Sequence, residues 1–188
     1  KYVINIDHIE MRVRKCRIDN EIINAHNLVL EGANAKYPIR RTVVKPFTIA
    51  PGLPSIVIDN INQGVLPIRV VLGFVESESY NGLAEKNPFD FQLFNINKLV
   101  LKISGQEVVY YNSLHLDFAK GQYLNAYNTL FQNIDGPTAS LGNQISRKDY
   151  PKGNALFAFD LTADLDSSDT FHMLKSGNLQ IQIEWAKT

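Results

Sequence analysis

A chain of 188 residues with 45% hydrophobic and 20% charged side chains holds enough apolar mass for one large domain, and too little polarity for wholesale disorder. Its 19 basic and 19 acidic residues cancel to a formal net charge of +0, without the basic bias that phosphate-backbone binding leaves on a small domain; a neutral surface also opposes self-association little. Cys16 is the only cysteine, no Asn-x-Ser/Thr acceptor occurs, and no apolar run approaches the roughly 18 residues of a bilayer span, so the composition fits cytosol or nucleus and excludes a disulfide scaffold or a spanning helix.

From the N-terminus, Ile4 and Ile6 alternate in one phase and Ile9, Met11 and Val13 in the other, which predicts a long strand with a bulge near Asp7 and His8. The basic group Arg12, Arg14, Lys15 and Arg17 reads as a solvated strand face rather than a phosphate patch. Asp19 or Asn20 is placed to cap a short helix carrying Ile22, Ala25, His26 and Val29, with Gly32 placed to end it.

Residues 40–49 look strand-like, and Pro46 pushes that element to a sheet edge. The run from Ile68 to Val75 is apolar in both phases, with Val70, Leu72 and Phe74 in one and Val71, Gly73 and Val75 in the other. That predicts a strand covered on both faces, by its own fold or by a partner. Residues 77–97 then form a long connector with turn signals at Asn81-Gly82 and Asn87-Pro88 and room for one helical turn. Its Phe89, Phe91 and Phe94 have no Lys or Arg among them, so a packed aromatic cluster under a loop is expected in place of base stacking.

A strand over 97–103, with Leu99, Leu101 and Ile103 inward, and a turn at Ser104-Gly105-Gln106 predict a hairpin into 107–111. Asp117 is a candidate cap for a helix through Tyr123, Tyr127 and Leu130 to Phe131, weakened by Gly121, and residues 133–153 read as a surface excursion. Leu156 to Leu161 reads as a short strand, and Leu179, Ile181, Ile183 and Trp185 alternate with polar residues in a half-buried one.

Catalytic patterns are absent: there is no Gly-x-Ser-x-Gly elbow, no Walker A loop, no Gly-x-Gly-x-x-Gly, and no paired histidine motif among His8, His26, His115 and His172. Neither an enzyme nor a cofactor is expected, and no catalytic or metal-binding residue is assigned. The acidic loop holding Asp164, Asp166 and Asp169 is a candidate for Ca²⁺, but it lacks the Gly and the terminal Glu of an EF-hand, so a solvated turn is the simpler reading.

Four stretches carry a family resemblance: YPIRRTVVKPFTIAPG from Tyr37, the run from Gly64 to Val109, SRKDYPKGNALFAFDLTADL from Ser146, and GNLQIQIEWA from Gly177. Together they resemble the C-terminal half of the double jelly-roll major capsid protein of Polinton (Maverick) elements and adintoviruses. The resemblance implies an all-β fold of viral capsid type, a jelly-roll sandwich of two antiparallel four-stranded sheets with one or two short helices in the loops. It further implies that residues 1–188 are a single domain, either one barrel of a longer two-barrel chain that opens before Lys1 or a single-barrel relative. Its partners would be copies of itself in trimeric capsomers and neighbouring capsid proteins, without nucleic-acid specificity or a membrane span. Such a protein is made in host cytoplasm or nucleus and resides in the virion capsid. The interface candidates are Val71, Val75, Phe89, Phe91 and Phe94. The competing expectation is a lectin-like jelly-roll module without catalytic activity; Trp185, in the inward phase of its strand, reads as core rather than a sugar platform.

Overall fold

The computed structural model describes residues 4–37, 39–108, 113–134, 144–163 and 172–186. The chain divides into two compact units, Lys1–Thr42 and Val43–Thr188. In chain order the elements are α1 (Asn20–Gly32), β1 (Ser55–Val65), β2 (Arg69–Gly73), α2 (Ser77–Tyr80), β3 (Ile96–Ile103), β4 (Gln106–Glu107), β5 (Leu114–His115), α3 (Leu124–Ile134), β6 (Leu156–Asp160) and β7 (Ser176–Trp185).

In the first unit α1 forms where its cap directs it: Asp19 accepts a hydrogen bond from the Glu21 backbone N–H through its side chain, satisfying one of the donors a helix start leaves open. The expected strand ahead of it does not form, and residues 4–18 run irregularly with every side chain exposed. Period-two alternation supplies two faces, whereas a strand also needs a neighbouring ladder, and among the described residues none is paired with these. The same correction applies to residues 40–49, which form no strand; Lys45 reaches back to donate to the Ile61 carbonyl at 2.6 Å.

The second unit contains two sheets whose named strand pairs are all antiparallel. The larger, five-stranded, runs β1-β7-β3-β4, with β5 also on β3; the smaller holds β2 and β6. The expected four-plus-four division is therefore not what the described residues display. β7 is central in the large sheet because its alternation suits that position. Leu179, Ile181 and Ile183 are buried, while Gln182 and Glu184 meet Lys102 and Lys98 across the outer face, at 2.8 Å and 3.1 Å. The hairpin between β3 and β4 closes on Ser104 and Gly105, both at positive φ (51° and 83°), the two-residue turn whose twist matches its strands.

One reason the smaller sheet stops at β6 lies in how that strand's far edge is closed. The Leu156 carbonyl accepts from the Tyr150 hydroxyl at 2.8 Å, and the Ala158 carbonyl accepts from the Asn133 side chain on α3 at 2.7 Å. Alternate carbonyls of a strand point to opposite edges, so these two side chains occupy positions that another strand's amides would take. Tyr150 is fully buried against Tyr123 and Tyr127, which corrects the expectation that residues 133–153 are purely a surface excursion. Burial raises its phenol pKa well above the usual value. The helix expected from Asp117 begins instead at Leu124: Asp117 caps a tight turn by accepting from the Lys120 N–H, and Gly121 at φ 70° breaks the path between them.

The core lies between these layers. Ile96, Leu99 and Leu101 of β3 and the inward row of β7 belong to one apolar cluster with Phe157 and Phe159 of β6 and Leu130 of α3. Phe74 meets Phe157 edge to face at 6.0 Å.

Candidate functional site

The residues expected to form an interface lie along β2 and the connector after it. Phe91 is pinned by backbone bonds on two sides: its N–H donates to the Gly153 carbonyl at 2.9 Å and its carbonyl accepts from Ala155 at 3.1 Å. Next to it, Gln92 donates to the Phe74 carbonyl at 2.8 Å. These bonds hold the Phe91 ring over Gly73, where an added Cβ would lie 2.6 Å from the ring and 2.9 Å from Leu156. Glycine is needed at residue 73 for close approach of a ring, and the Gly73 side of the strand is filled locally by Phe91.

Val71 shares that face two residues earlier and stays 49% exposed. Val75 is half-buried, whereas Phe89 is 74% exposed. The three phenylalanines therefore do not pack as one cluster. Phe94, at φ 46°, lines a separate open recess with Leu53, Pro54, Asn95 and Trp185 at the end of β7. Two backbone bonds shape its floor, Trp185 N–H to Pro54 and Ala186 N–H to Asn95, at 3.0 Å and 2.9 Å. Trp185 packs against the core on one side and faces this recess on the other, so the inward phase alone does not describe it.

The connector is braced by Lys86, which bridges the carboxylates of Glu76 and Glu78. Both carboxylates raise the Lys86 pKa, and Lys86 in turn lowers that of Glu78. Asp164, Asp166 and Asp169 lie outside the described residues. Asp160, which precedes them, is buried and accepts from the Thr162 N–H at 2.8 Å. Among the described residues no group of three or more His, Cys, Asp or Glu side chains is placed to hold a metal ion, and Cys16 is exposed. No described helix is long and apolar enough to cross a membrane.

No family model matches the chain, and no solved structure does. It is 22% identical over 190 residues to a Caenorhabditis elegans protein described as uncharacterized. That alignment takes in 100% of this chain and 45% of the worm protein, so the chain spans about half the length of the curated relative it matches.

Proposed function

We propose that this chain is a jelly-roll barrel of a capsid protein from a virus or virus-like transposon, and that it works by burying surface against copies of itself. The observation that carries this reading is the order of strand pairing. β7 lies between β1 and β3, β3 also pairs with β4 and β5, and β2 pairs with β6, so sequence neighbours β1 and β2 lie in different sheets, as do β6 and β7. Alternation of sequence neighbours between two antiparallel sheets supports the jelly-roll reading, in which a long folded ribbon is rolled into two facing sheets. Further support comes from the exposed apolar side chains on β2 and its connector, and from an animal relative more than twice as long, with room for a second barrel.

The test is to express the complete reading frame and examine it by light scattering and electron microscopy. Trimeric capsomers or closed shells are the expected outcome. A strictly monomeric product that binds glycans would sink the reading.

The recess at Trp185 gives the lectin-like alternative one specific observation, since an aromatic face beside Asn95 and Phe94 is the kind of platform on which a sugar ring stacks. Trp185 is the single tryptophan, so its fluorescence during a glycan titration reports that alternative directly. No change across a glycan panel would leave the capsid reading alone.

A further inference from the structure

Residues 4–18 carry the pattern of a strand without a sheet. The Glu10 carboxylate lies 2.6 Å from the Arg12 guanidinium and 3.7 Å from His8 Nε2, so these three side chains gather on one side of the chain. In an extended segment residues two apart share a face, which leaves Ile9, Met11 and Val13 together on the other. They are 79%, 87% and 61% exposed. An apolar row of this kind calls for a neighbour to cover it.

The order of charges identifies that neighbour. Asp7 and Glu10 precede Arg12, Arg14, Lys15 and Arg17, so the segment is complementary to itself read backwards. We propose that residues 4–18 pair antiparallel with the same residues of a second copy, about a two-fold axis at Met11. In that register Glu10 faces Arg12, Asp7 faces Lys15, Ile9 faces Val13 and Ile4 faces Ile18. Both acids meet bases and apolar residues meet apolar ones.

Competing registers fail on the same residues. Moving the axis one residue either way sets Glu10 against Glu10 or Arg12 against Arg12, and a parallel in-register pair does both; like charges directly opposite are destabilising. An axis between two residues places one strand's apolar row opposite the other's charged row. A two-stranded ribbon is marginal by itself, and α1 supplies further apolar surface immediately after it through exposed Ile22, Leu28 and Val29. The contact is isologous and closed, and it does not depend on the capsid reading. On that reading it joins separate capsomers, because a three-fold ring has no two-fold axis.

The experiment is sedimentation of the whole chain over a concentration series. A dimer is expected, and Glu10→Arg or Arg12→Glu alone should weaken it by about tenfold or more, since each reversal affects two symmetric pairs. The double swap Glu10→Arg with Arg12→Glu should restore it. In a Cys16→Ser background, Met11→Cys should cross-link to its own counterpart under mild oxidant, while Arg14→Cys, which faces His8, should not. Melting curves of the variants check that the second unit stays folded. A chain that remains monomeric at concentrations on the order of 100 µM overturns the proposal. So does a dimer indifferent to both single reversals, or equal cross-linking at residues 11 and 14. If the row is protected from hydrogen exchange within a monomeric complete protein, it is covered by the same polypeptide, and the proposal also falls.

Discussion

β7 and residues 4–18 both alternate apolar with polar side chains, yet Ile183 is buried between two neighbouring strands while Met11 stands in solvent. The difference lies in what surrounds each segment and not in the pattern itself. β7 has β1 on one edge, β3 on the other and the core beneath, so each apolar residue loses water on folding. The early segment has the same capacity for burial and no such setting within its own unit. Alternation is thus a statement about which face seeks cover, and it leaves open who provides it.

Substitutions can break this comparison at its strongest point first. Ile183→Ala removes buried methyl groups from the centre of the large sheet and should cost about 2–5 kcal/mol, read as a lower urea midpoint. Gly73→Val should come next, at about 1–3 kcal/mol, because its side chain collides with Phe91 and Leu156. A smaller effect would mean that the Phe91 ring swings away easily, and that the connector is held less firmly than its backbone bonds imply.

Tyr150→Phe should cost about 1 kcal/mol at neutral pH, by leaving the Leu156 carbonyl without its donor. Its pH dependence gives the sharper reading. The folded-state pKa of Tyr150 is raised above the ordinary 10.0, so its contribution is complete below that value and is lost as pH climbs toward the folded-state pKa. Alkaline unfolding should therefore begin above about pH 10 and be less steep in the Phe variant. Met11→Ala, at the other end of the comparison, should change the melting of the second unit by less than about 0.5 kcal/mol. A penalty close to that of Ile183→Ala would show that the early segment is as buried in solution as β7.

Much of the architecture was legible residue by residue wherever the determining interactions are local. Asp19 capping α1, the Ser104-Gly105 turn and the inward row of β7 all follow from backbone chemistry within a few residues. Asp117 misled because a capping residue reads alike whether a helix or a single turn follows, and the positive φ at Gly121 decided between them. The candidate interface was less legible. Val71, Phe89, Phe91 and Phe94 share apolar character, yet one stays open on a strand, one projects outward, one fills the space over a glycine and one lines a recess beside Trp185.

By itself, then, the sequence determined a β-rich chain, the capped start of α1, the Ser104-Gly105 turn, and which side of β3 and β7 seeks burial. These are properties of short segments, set by sterics, hydrogen-bonding inventory and period. Only the tertiary structure decided that β1 meets β7 and β2 meets β6, that Tyr150 and Asn133 close the far edge of β6, and that residues 4–18 have no strand partner among the described residues. Those outcomes depend on contacts between residues far apart in the chain. Many pairings satisfy the same alternation, and the joint packing of core and edges selects among them.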